Sequence, residues 1–231
     1  MQIGAVIQAR MSSQRLPGKV LMPLAGKPLV QYLLESLEHS AQLGGVVVAT
    51  SDQPSDAALA HFCREQEVAC YRGSLDDVTA RLLGAAEWHS FEAIVRVCAD
   101  SPLLDWRLVD QAVELFLAGN VEVVTNVFPR SFPKGQSAEV MSVAALRRAH
   151  ALMRDAEDYE HVTRYFYTHP EQWRIQNFSS GQAWGDVNMC VDTREDFSRA
   201  ERLVARLAGP TWQYSVEELV ALVEAEQALV R

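Results

Sequence analysis

The sequence predicts an α/β fold in three layers, a mostly parallel sheet with helices on both faces. Two observations lead there. Short β-rich runs alternate with amphipathic helical runs through the first half of the chain. Such alternation builds βαβ units, whose strands lie parallel and whose helices cover the sheet. The 231 residues, 48% hydrophobic and 22% charged, are enough for a substantial core in one domain spanning 1–231, with a small arm in the second half.

Residues 2–8 (QIGAVIQ) read as the first strand, and 28–41 as a helix with Leu29, Leu33, Leu34 and Leu37 on one face. The β-branched run 45–50 is a strand, 55–67 a helix and 68–71 a short strand. Segment 76–89 is a helix, 93–98 a strand and 104–118 a helix. The second half is less regular: strands at 121–125 and 138–141 flank a loop at 129–135. Helices at 143–154 and 158–168, strands at 174–177 and 187–191, and helices at 194–207 and 215–230 complete the chain.

Composition narrows the function. A net charge of −9 argues against a nucleic-acid binder, which needs a basic footprint. Residues 1–8 have no basic n-region and no long apolar stretch, Arg10 interrupts them, and no run is long enough to cross a bilayer. A cytoplasmic protein with no membrane partner is expected. Cys63, Cys70, Cys98 and Cys190 are scattered, which predicts reduced thiols and neither a zinc site nor a disulfide framework. Against the acidic total, residues 1–34 hold Arg10, Arg15, Lys19 and Lys27 and no Asp or Glu. This positive island suits a polyanionic small ligand.

Four segments are candidates for chemistry. ARMSSQRLPGK, 9–19, follows the first strand and therefore lies at the carboxyl edge of the sheet, where such folds bind ligands. Its backbone N–H groups, Ser12 and Ser13 can surround phosphate oxygens, while Arg10, Arg15 and Lys19 neutralise charge. By composition alone an exposed basic loop is as good a reading. Asp100 ends the strand IVRVCAD, where it can hold a metal ion or simply make a turn. Asp192 begins DTRED, where it can serve the same ion or cap the next helix with Glu195. Two carboxylates ~4 Å apart repel by roughly 4 kcal/mol at an effective dielectric of twenty. A divalent cation removes that penalty, and oxygen ligands beside phosphate favour Mg²⁺. In YRGSLDDVTAR, 71–81, Gly73 permits a turn, and Ser74 or Asp76 can cap the following helix.

QARMSSQRLPGKVLMPLAGKPL resembles the opening of the spore coat polysaccharide F-type cytidylyltransferases, relatives of the CMP-ketodeoxyoctonate and CMP-acylneuraminate synthetases. YRGSLDDVTARL, ADSPLLD, EHVTRYFYTHP and VDTREDF resemble further blocks of that family, in order across roughly residues 2–200. The resemblance implies a nucleotide-diphospho-sugar transferase-like, Rossmann-like fold with a dimerisation and substrate arm at roughly 126–180. It implies that Arg10, Arg15 and Lys19 hold a CTP triphosphate beside Gln8, Ala9, Ser12 and Ser13. Arg72, Gly73, Asp77 and Asp100 would complete the nucleotide site. Asp100 and Asp192 would coordinate Mg²⁺, with Lys19 and Arg15 also catalytic, in a homodimer that joins CTP to an acidic sugar. Ala99, Gln136, Ser137, Ala138, Arg164 and Asn188 depart from the family pattern, mostly in the half expected to read the sugar. Glu139, His161 and Arg164 are therefore weaker substrate-site candidates. A sugar-1-phosphate nucleotidyltransferase using another NTP, a glycosyltransferase and a non-catalytic nucleotide-binding module remain the alternatives.

Overall fold

In a computed structural model that describes residues 1–230, strand β1 (Ile3–Gln8) runs into the loop singled out above. Short strands β2 (Pro23–Leu24) and β3 (Lys27–Pro28) form an antiparallel ribbon before helix α1 (Leu29–Leu37). Strand β4 (Val46–Ser51), helix α2 (Ala57–Glu65), strand β5 (Ala69–Gly73), helix α3 (Val78–Trp88), strand β6 (Ala93–Cys98) and helix α4 (Trp106–Ala118) continue the alternation. The second half holds β7 (Val123–Thr125), β8 (Glu139–Ser142), α5 (Val143–Leu152), α6 (Ala156–Glu160), α7 (Arg164–Thr168), β9 (Ile175–Asn177), α8 (Arg194–Ala205) and α9 (Val216–Val230).

Seven strands form one sheet in the order β5-β4-β1-β6-β8-β7-β9. Strands β5, β4, β1 and β6 are mutually parallel, and β7 is parallel to β9. Only β8 runs against its neighbours. The sheet is mostly parallel, as expected, and both its faces are covered. Ile3, Ala5 and Ile7 of β1 pack with α1, α4 and α9, while Val6 faces the side of α3 and α5. Burial on both faces explains why β1 reads as an apolar run rather than an alternating one. After β1 the chain moves outward to β4, and β6 returns to the other side of β1. That reversal opens a crevice beyond the carboxyl ends of β1 and β6, where open α/β sheets bind ligands.

Two expected elements differ. Segment 158–168 is not one helix: it breaks at His161, whose φ of −102° and ψ of 68° leave α6 and α7 as separate turns. The expected strand at 187–191 joins no neighbouring strand, meeting the sheet's loops through one isolated bridge, Lys134 to Asn188. Val191 is buried and Val187 half-buried, but the Asn188 side chain accepts the Cys190 N–H at 3.0 Å and bends the backbone locally. Within the segment expected to form an arm, β9 pairs with β7 in the main sheet, while α6 packs on α3. Among the described residues no helix is long and apolar enough to cross a membrane.

Candidate active site

The loop after β1 is shaped from below. Met11 N–H donates to the carboxylate of Asp56 at 2.6 Å, and the same carboxylate accepts from the Ser51 N–H and hydroxyl. Asp56 is fully buried, so these bonds replace the hydration that it has lost. The loop closes on itself through Gly18 N–H to the Met11 carbonyl at 2.8 Å. Gly18 has φ of 74°, a left-handed geometry that costs an L-residue roughly 1–2 kcal/mol. The 3₁₀ turn that follows, Lys19–Leu21, carries the Lys19 side chain inward. Replacing Asp56 by alanine strands three donors and loosens the loop. The expected result is a fall of about 3 kcal/mol in urea-derived stability together with weaker nucleotide binding. Unchanged values in both would remove Asp56 from this role.

Lys19 is buried, and its ammonium donates to Asp100 Oδ2 at 3.2 Å, to Asp192 Oδ1 at 2.9 Å and to the Val191 carbonyl at 2.7 Å. Burial alone would lower its pKa, but the two carboxylates outweigh it and the pKa stands above the ordinary lysine value. Lys19 is therefore an ammonium across the neutral range. Asp192 reaches this junction because Val191 N–H bonds to the Asp100 carbonyl at 2.9 Å. It does not cap α8. Thr193 does, in a capping box with Asp196 rather than Glu195, one residue later than the sequence suggested. Asp192 is free to face the crevice, and Arg15 pairs with its other oxygen at 3.0 Å.

The crevice above these groups has a volume of about 490 Å³. Of the residues expected to bind nucleotide, Gln8, Ala9, Arg10, Ser13, Arg15, Lys19 and Asp100 line it, and so does Asp192. Ser12, Arg72, Gly73 and Asp77 do not border it. Arg72, on β5, donates to the carbonyls of Ser51 and Gln53, with β4 and β1 between it and β6. Gly73 makes no turn: it ends β5, and a Cβ there would lie 3.2 Å from Arg81 Cγ. Asp77, not Ser74 or Asp76, caps α3 by accepting the Ala80 N–H, and it also holds His150 at 2.8 Å.

Three further polar lining groups were not proposed as site residues from the sequence. Gln14 comes from the loop. Cys98 ends β6, and desolvation there raises its thiol pKa to about 11. Glu160, from α6, pairs with Arg10 at 2.9 Å. It stands immediately before His161 in the EHVT block, and that adjacency was the available signal. His161 also lines the crevice. Arg164 does not: it pairs with Asp158, and with Glu157 at 3.3 Å.

A smaller recess of about 280 Å³ adjoins the crevice and shares Cys98 and Asp100 with it. Glu139 lines the recess but is largely committed, accepting from Arg96 at 2.6 Å and from the Tyr167 hydroxyl. Arg96 in turn donates to Gln8 Oε1 at 3.1 Å, which ties the recess to the crevice.

The residues present fit Mg²⁺. Arg10, Arg15 and Lys19 are matched in the crevice by Glu160, Asp192 and Asp100. A polyphosphate entering this balanced pocket brings negative charge that the side chains alone do not neutralise. No group of three or more His, Cys, Asp or Glu is placed to hold a metal among the described residues. Two carboxylates completed by phosphate oxygens and water are the usual protein share of a Mg²⁺ site.

Fold and site together define a nucleotidyltransferase-type α/β protein, with a cationic loop and a carboxylate pair meeting at the sheet's switch point. The cytidylyltransferase family model matches residues 4–228. The chain is 30% identical over 225 residues to the spore coat polysaccharide biosynthesis protein SpsF of Bacillus subtilis, covering 94% of this chain and 92% of that one. A 119-residue stretch is 36% identical to the 3-deoxy-manno-octulosonate cytidylyltransferase of Trichlorobacter lovleyi, covering 51% of this chain and 46% of that one. A cytidylyltransferase structure from Leptospira borgpetersenii superposes with a TM-score of 0.93 at 28% identity, over 99% of this chain and 96% of that one. The chain belongs to the cytidylyltransferase family.

Proposed function

We propose that the protein transfers the cytidylyl group of CTP to a hydroxyl of an acidic keto-sugar, giving a CMP-sugar and pyrophosphate for polysaccharide or glycan assembly. The observation that carries this reading is the Lys19–Asp100–Asp192 junction, all of which lines the loop's crevice and of which Asp100 also lines the recess. The loop holds the triphosphate, with Arg10 and Arg15 exchanging their carboxylate partners for phosphate oxygens. Asp100 and Asp192 would hold Mg²⁺, which polarises the α-phosphate and lowers the pKa of an oxygen nucleophile.

The acceptor hydroxyl enters from the recess past Asp100, which helps to orient it, and its proton passes to solvent water. A bond forms between the hydroxyl oxygen and the α-phosphorus as the α–β bridging bond breaks. Pyrophosphate leaves with the electron pair, and the Lys19 ammonium stabilises charge on the transferring phosphoryl group. Chemistry of this kind depends on positioning and charge neutralisation more than on covalent steps.

Pyrophosphate release measured with CTP, Mg²⁺ and a panel of octulosonic and nonulosonic acids tests the reading. Release with at least one acid, and none without an acceptor, is expected. Thermal shifts should be larger with CTP than with UTP, GTP or ATP at equal concentration, because stabilisation by a ligand rises with the logarithm of its concentration over Kd. Release with a sugar 1-phosphate and a different NTP would replace this function with another. The reading includes a cytoplasmic location and a homodimer contacting through 126–180. Its support is the family resemblance, and sedimentation of the full chain checks the dimer.

A further inference from the structure

The recess beside Asp100 is unevenly charged. Arg96 is neutralised by Glu139, and Asp100 by Lys19. Arg130, from the loop after β7, also lines the recess. Its guanidinium donates only to neutral oxygens, the Pro133 carbonyl at 3.3 Å and the Ser137 hydroxyl at 3.2 Å. Among the described residues no carboxylate lies in salt-bridge range of it. The recess lining holds no Asp or Glu besides Asp100 and Glu139, and each of these already has a cationic partner.

The recess thus has one unmatched positive charge, carried by a residue that lines the recess and not the nucleotide crevice. Its volume of about 280 Å³ is at the small end of ligand sites and suits one sugar unit. Ser137, one of the departures from the family pattern, contributes the hydroxyl that supports the guanidinium. The neighbouring departure, Gln136, is buried and bonded to Leu103 and Asp105, so it fixes the loop rather than meeting a ligand.

We propose that Arg130 is the specificity residue that holds the acceptor's carboxylate, aligning the sugar so that its reacting hydroxyl meets Asp100. This deepens the function proposed above and rests on it for the identity of the acceptor. An arginine fork matches a carboxylate in two parallel hydrogen bonds and discriminates against a neutral group in that place.

The test compares wild type, Arg130→Gln and Arg130→Lys, each checked for an unchanged melting temperature. Calorimetry with 3-deoxy-manno-octulosonate, N-acetylneuraminate and the methyl ester of each measures acceptor binding in the presence of CTP and Ca²⁺. Wild type should bind at least one acid more tightly than its ester by roughly ten- to a hundredfold. Arg130→Gln should lose that preference while its CTP affinity stays within about twofold, and Arg130→Lys should recover part of it. Acid and ester bound alike by wild type, neither bound, or a preference intact in Arg130→Gln would each overturn the proposal. The two readings fail separately. Acid binding that depends on Arg130 without pyrophosphate release under any condition would sink the cytidylyl transfer and leave the carboxylate site standing.

Discussion

Lys19→Ala lowers the rate of CTP-dependent pyrophosphate release by about a hundredfold or more, in line with the loss of a preorganised charge at a developing oxyanion. The size of the effect follows from the number of things that one ammonium does. It bridges Asp100 and Asp192, fixes the Val191 carbonyl, and stands at the crevice wall with a raised pKa that keeps it charged. Alanine removes the bridge and leaves two carboxylates facing each other. The neutral variant should therefore also show an altered Mg²⁺ dependence, because the pair then has no fixed cation between its oxygens. Steady-state turnover across a Mg²⁺ titration, with folding verified by circular dichroism, measures both effects. Near wild-type turnover in the folded variant would remove Lys19 from the reaction.

Asp100→Ala should have an effect of similar size for a different reason. Asp100 is one of two residues that line both the crevice and the recess, so it touches the places proposed for nucleotide and acceptor alike. Its loss leaves Lys19 bonded to Asp192 and Val191, and the fold is expected to persist. The predicted signature is a fall in kcat of about a hundredfold or more, with CTP affinity measured without Mg²⁺ changed much less. An effect confined to KM for CTP would assign Asp100 to ground-state binding alone.

The strands and helices of the first half were legible because their signals are local. Residues 93–98 were read as a strand with the bounds that the structure gives, and α1 follows the leucine spacing of its sequence. Residues 187–191 were misread because a short run that is largely apolar looks the same whether or not a neighbouring strand offers a ladder. In the site, the cationic loop was visible as an acid-free stretch in an acidic chain. Arg130 was not. Nothing in its neighbours marks it, and its significance comes from carboxylates elsewhere that neutralise the other cations. Arg164 shows the converse: it lies beside His161 in the chain, yet Asp158 and Glu157 engage it.

By itself the sequence determined a mostly parallel α/β sheet and a basic loop at its carboxyl edge, since periodicity and charge are properties of short segments. Tertiary structure decided which carboxylates meet Lys19, whose bonds span 81 and 173 residues of chain. It also decided that Thr193 rather than Asp192 caps α8, and that Arg130 alone among the recess's cations keeps an unmatched charge. These depend on which groups become neighbours when the chain closes, and Coulomb interactions between them are set by distance in space, not by position along the chain.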